Sequence, residues 1–201
     1  MVRSYLAPLI IVSLAVVLFA GPQETGEAID TQRSSITIHV GKSGVFAGAA
    51  HEHWVNAPIA TGMVDVAPSN PSVRFTVEAS KLSVRTEKTV SDRDQAVAQF
   101  SMQSKVLESN RYPEIVFHTT RVQRHGENSW KVFGDLTLHG TTKSIMVSVV
   151  REKGAYVGDV RIKQTEFGIH PIKIGGGLVK VQDELDISFQ VYTVAPSRVP
   201  R

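Results

Sequence analysis

From residue 35 onward the chain runs in short segments whose apolar and polar residues alternate one for one, a period that places every second side chain on one sheet face. Val73, Phe75, Val77 and Ala79 alternate with Arg74, Thr76 and Glu78, after the turn-forming Pro68-Ser69-Asn70-Pro71. Ile36, Ile38 and Val40 do the same against Ser35, Thr37 and His39, before a turn expected at Gly41-Lys42-Ser43-Gly44. Ile115, Phe117 and Thr119 share a face behind Tyr112-Pro113, and His125-Gly126-Glu127-Asn128 turns the chain into a strand over 130–138 that ends at Gly140. Further strands are expected near 144–151, 155–164 and 178–192, where Leu185, Ile187, Phe189 and Val191 alternate with Asp186, Ser188 and Gln190.

One stretch departs from this period. Residues 91–109 contain no Gly or Pro, open on Ser91-Asp92-Arg93-Asp94 and carry Ala96, Val97, Phe100 and Leu107 near helical spacing, which predicts a single helix. Seven or eight antiparallel strands with one helix define an all-β protein, and alternation alone leaves a closed barrel and a two-layer sandwich open. A barrel of about eight strands brings an interior that side chains fill or that holds one small ligand.

A chain of 201 residues with 42% hydrophobic content suits one domain. Arg3 followed by an uncharged apolar run from Leu6 to Ala20 reads as a signal peptide over 1–20, the alternative being an N-terminal membrane anchor. A linker is expected over 21–31, the barrel domain over 32–193 and a tail over 194–201. The expected location is periplasmic or secreted.

The net charge of +3 and pI near 9.2 come from Lys and Arg scattered among acids, with no basic run of the kind nucleic acid requires. No cysteine is present, which excludes disulfides, thiolate metal sites and a catalytic thiol. His51-Glu52-His53-Trp54-Val55 begins like a zinc-protease motif but has Val55 where the second helical histidine must stand. Gly41-Lys42-Ser43-Gly44 fits neither a phosphate loop nor a serine-hydrolase elbow, and Gly175-Gly176-Gly177 reads as a loop. His51 and His53, two apart on a strand, share a face and would chelate a metal only with a third ligand. His39, His118, His139 and His170 sit singly among polar neighbours. No enzyme and no cofactor is indicated.

Four blocks, in order, carry a resemblance over roughly residues 29–192. They are Ala79-Ser80-Lys81-Leu82-Ser83-Val84-Arg85-Thr86 with Arg93-Asp94; Arg111-Tyr112-Pro113-Glu114-Ile115-Val116-Phe117; the run from Val132 to Lys143, including Gly134-Asp135-Leu136-Thr137-Leu138-His139-Gly140-Thr141-Thr142-Lys143; and Glu166-Phe167-Gly168-Ile169. The chain resembles the YceI-like family of exported lipid-binding proteins. That resemblance implies an eight-stranded antiparallel lipocalin-like barrel whose elongated pocket takes a polyisoprenoid or similar amphiphile, and no catalytic residues. Two stretches depart from the family pattern, Phe46 to Trp54 and the loop around Gly175-Gly176-Gly177.

A polyisoprenoid tail makes no hydrogen bonds, so its site should be an apolar tube with polar groups confined to the mouth. The expected lining is Phe75, Val77, Phe117, Leu136, Ile145, Val147, Ile187 and Phe189 from strands, with Val97 and Phe100 from the helix. His51, His53 and Trp54 are expected at the mouth, against the headgroup. The partner expected is an isoprenoid or fatty amphiphile, with transient membrane contact. Two other readings stay open: a metal-binding protein or metal-dependent enzyme using His51 and His53, and a structural or partner-binding barrel, such as a homodimer, without ligand.

Overall fold

The computed structural model describes residues 26–43, 52–67, 70–85, 90–174 and 179–194. Among these residues thirteen strands form one antiparallel sheet: β1 (Glu27–Ile29), β2 (Ser35–Ser43), β3 (His53–Asn56), β4 (Ile59–Asp65), β5 (Ser72–Glu78), β6 (Ser83–Val84), β7 (Glu114–Arg124), β8 (Ser129–Leu138), β9 (Thr141–Glu152), β10 (Ala155–Lys163), β11 (Lys173–Ile174), β12 (Val179–Val191) and β13 (Thr193–Val194). Neighbours run in the order β13-β1-β4-β5-β7-β8-β9-β10-β12-β2-β3-β6, with β11 paired to β12. The sheet curls because β3 pairs with β2 while β4, the next segment of chain, pairs with β5. Pro58, which has no N–H to give a ladder, separates the two.

The fold is thus all-β with one α-helix, as the alternation requires. The pairing gives thirteen strands where eight are expected, since the break at Ala57–Pro58 and short terminal pairings divide the longer segments. β1 pairs with β4 and β13, so part of the stretch read as a linker and part of the expected tail belong to the sheet. The turn expected at Gly41 is also displaced: β2 continues through Ser43, and a Cβ at Gly41 would collide with the Gln182 side chain, whose Nε2 donates to the Lys42 carbonyl at 3.1 Å.

The blocks that carry the family resemblance have local physical roles. His139 and Gly140, both with positive φ (51° and 71°), make the two-residue turn joining β8 to β9, the geometry that matches the twist of a hairpin. Tyr112 fills the space beside Gly140, where a Cβ would lie 2.6 Å from the ring, and its ring centroid is 4.2 Å from that of His139. Gly168, at φ 75°, caps the 3-10 turn Gln164–Phe167 and lets both Phe167 and Ile169 bury their side chains.

The helix α1 (Asp92–Ser101) starts at Ser91, whose Oγ accepts from the Asp94 N–H at 3.2 Å, and continues as a π-turn over Met102–Val106. No residue of α1 is buried. Glutamines hold it in place: Gln99 Oε1 accepts from Val84 N at 2.8 Å and its Nε2 donates to Leu82 O at 2.9 Å, while Gln103 Nε2 donates to the carbonyls of Ala79 and Leu82. No helix among the described residues is long and apolar enough to cross a membrane.

Candidate functional site

The inward faces of the strands do not meet. They enclose a cavity of about 640 Å³, within the ~300–1,000 Å³ range of small-molecule sites. Its middle is aliphatic and aromatic. Phe75 stacks on Phe117 across β5 and β7 with centroids 5.6 Å apart, and Leu136, Ile145, Val147, Ile187 and Phe189 continue the wall.

Exposure separates the two ends. At one end the lining is Leu82, Leu107, Ile162, Gln164 and Ile169, all buried, and this end is closed. Its polar group, Gln164, donates Nε2 to the Gln182 carbonyl at 2.7 Å. At the other end the lining includes Asp65, Val66, Ser72, Arg124, Trp130 and Tyr156, of which Val66 and Arg124 are exposed. That end is the mouth. Burial raises the Tyr156 pKa above its ordinary value, against the opposing charge of Arg151, so the phenol stays protonated at neutral pH.

Phe75, Val77, Phe117, Leu136, Ile145, Val147, Ile187 and Phe189 all line the cavity. Val97 and Phe100 do not. They stand 57% and 66% exposed on the outer side of α1, because the helix turns Gln99, Met102 and Gln103 toward the body and so points its largest apolar side chain outward. Trp54 also faces outward, 38% exposed, its ring centroid 4.5 Å from that of His39, while Val55 next to it is buried. His53 shares the inward side of Val55 by alternation but does not line the cavity. His51, Phe46 to Ala50 and Gly175-Gly176-Gly177 lie outside the described residues. Among the described residues no three His, Asp or Glu side chains gather as a metal-binding group.

Several lining residues carry the same alternation yet escaped selection from the sequence, among them Ile36, Ile38, Leu185, Trp130 and Tyr156. Glycines in the wall gave a further signal. A Cβ at Gly62 would stand 2.9 Å from the Phe75 Cβ, and one at Gly134 would collide with the Phe117 ring. The Phe117 ring thus lies over Gly134, and Gly62 leaves room beside Phe75.

Among the described residues, a curled antiparallel sheet closed at one end around an apolar cavity defines a β-protein with room for a small ligand, and no nucleophile and base are brought together in the lining. The chain belongs to the YceI-like domain family, which matches residues 28–193. It is 32% identical over 124 residues to a UPF0312 protein of Pseudomonas savastanoi pv. phaseolicola, covering 56% of this chain and 62% of that relative, so the match spans less than two thirds of the relative's length. Among solved structures it is similar to Burkholderia cenocepacia BcnA (TM-score 0.60, 16% identity, 81% of this chain and 98% of that one). It is also similar to a polyisoprenoid binding domain from Saccharophagus degradans implicated in plant cell wall breakdown (TM-score 0.58, 13% identity, 84% and 98%). At such identities these structures support the fold.

Proposed function

We propose that this protein binds, and carries, a long-chain amphiphilic lipid such as a polyisoprenoid in its interior, in an extracytoplasmic space. The observation that carries the reading is the apolar cavity of about 640 Å³. As a dry void it would forfeit on the order of 15 kcal/mol at about 24 cal/mol per Å³, comparable to the ~5–15 kcal/mol stability of a whole domain. An apolar wall gains little from water, and a tail burying on the order of 400 Å² would gain roughly 10 kcal/mol before the costs of binding. A sequence under pressure only to fold would fill this space with larger side chains.

The polyisoprenoid class is supported by the neighbour from Saccharophagus degradans, described as a polyisoprenoid binding domain, and by the absence of hydrogen-bonding groups in the cavity's middle. In this reading the sheet works as a lipocalin-like barrel of eight staves, β3 and β4 forming one. The leader-like run from Leu6 to Ala20 supports export, and Val97 and Phe100, exposed on α1, suit transient contact with a membrane. Organic extraction of the purified full-length protein followed by mass spectrometry tests the reading. One isoprenoid or fatty amphiphile per chain is the expected result. Protein that yields no lipid and takes up none when it is offered would overturn it.

A further inference from the structure

The geometry points to a site at the cavity mouth, built from Arg124, Arg151 and Tyr156, that takes the acidic headgroup of the bound lipid. This rests on the lipid-binding reading and adds the chemistry and place of the polar end. Strand register brings the groups together. Arg124 on β7 pairs with Trp130 on β8, Trp130 pairs with Val149 on β9, and Arg151, two residues beyond Val149 and so on its inward face, pairs with Tyr156 on β10. Arg124 thus lines the cavity at its exposed end, and Arg151, which is not itself a lining residue, sits at the same end over the ring of Tyr156, which is.

Their charges are uncompensated. Arg124 donates Nε to the Gly126 carbonyl at 3.0 Å and Nη2 to the Glu127 carbonyl at 2.8 Å, neutral partners that orient the fork without cancelling its charge. Arg151 lies over the Tyr156 ring, 5.6 Å from its centroid. Among the described residues neither arginine has a carboxylate within salt-bridge distance. Two carboxylate charges stand near this end: Glu27, which acts on Tyr156 and accepts from the Thr193 hydroxyl, and Asp65, which lines the mouth and accepts from the Ala67 N–H at 2.8 Å. Neither is within salt-bridge distance of Arg124 or Arg151, so the preference for an anion rests on the two guanidinium groups outweighing them. The Tyr156 hydroxyl makes no hydrogen bond among the described residues and is a donor for the same ligand oxygen.

Among the described residues the closed end offers no such chemistry in the lining, since its polar residue is a neutral amide already bonded to the Gln182 carbonyl. A tail-first lipid would thus place its head between two unpaired cations and a phenol, which favours a phosphate or carboxylate over an alcohol. This puts the headgroup at the end of the molecule opposite His53 and the closing Leu107.

Competition binding to the full-length protein with two chain-matched pairs tests this: geranylgeranyl phosphate against geranylgeraniol, and palmitate against hexadecanol. The acid of at least one pair should bind roughly tenfold or more tightly than its alcohol, and the pair that shows the preference identifies phosphate or carboxylate as the head. Arg124→Gln combined with Arg151→Gln should bring that ratio close to one while leaving the alcohol's affinity within about twofold; Arg161→Gln, on the outer face, should leave the ratio intact. Equal affinity for acid and alcohol in both pairs, or a ratio that the double variant does not change, overturns the inference while the lipid reading stands. Binding of no lipid at all overturns both.

Discussion

Phe189 on β12 lies directly over Gly158, its register partner on β10, so that a Cβ at position 158 would come 2.7 Å from the ring's Cζ and would also collide with the Ser148 carbonyl. The glycine shapes the wall of the cavity and leaves the ring seated in it. Replacing Gly158 with Ala should displace the ring into the cavity and destabilise the protein by about 1–3 kcal/mol, the usual cost of overpacking. Thermal melts together with the amount of lipid retained on purification check both parts. An unchanged melt would remove the argument that this contact sets the wall.

Phe117, 5% exposed, and Phe75, stacked on it, form the aromatic part of the lining. Truncation of Phe117 to Ala should cost about 3–5 kcal/mol through cavity enlargement and weaken tail binding as well. Because a ligand that binds only the folded state adds stability, added lipid should raise the melting temperature of the wild type more than that of the variant. Titration with lipid during thermal unfolding measures this directly.

The helix should behave differently at its two faces. Val97→Ser and Phe100→Ser should change stability by no more than about 0.5 kcal/mol and leave lipid stoichiometry intact, since both side chains already face solvent. Gln99→Ala removes two hydrogen bonds to the backbone of Leu82 and Val84 and should cost about 1–2 kcal/mol. Chemical denaturation of the three variants separates the faces, and equal losses would contradict the orientation described for α1.

Acid should weaken the attachment of Thr165 to β12 at the closed end. Asp183 accepts from the Thr165 hydroxyl at 2.6 Å and from its N–H at 2.9 Å, and these bonds, the hydroxyl's foremost, hold its pKa below the usual carboxylate value. A carboxylate whose folded-state pKa is depressed contributes stability that is present above its unfolded pKa, near ~3.9, and is lost as pH falls through the lower folded value. Asp183→Asn should therefore flatten the fall in melting temperature below about pH 4. A pH series of melts on both proteins reads the difference, and parallel curves would count against the role given to Asp183.

The alternation of residues such as Val73, Phe75 and Val77 determined by itself that the chain is a β-protein and which side chains share a face, because a strand offers only two directions. The capping pattern at Ser91 likewise placed the helix, since the N-terminal N–H groups need an acceptor supplied locally. Period, however, does not say where a face points. The same run of residues predicted Val97 and Phe100 inward, and only the attachment of Gln99 and Gln103 to the carbonyls and N–H of 79–84 turned that face out. For the same reason Trp54 could not be assigned: one register step separates it from the buried Val55, and that step is fixed by pairing with β2. Which end of the cavity closes, and that Arg124 and Arg151 stand at the other, depended on how four hairpin-linked strands are staggered. Stagger is a relation between segments distant in the chain, so it was decided by the tertiary structure alone.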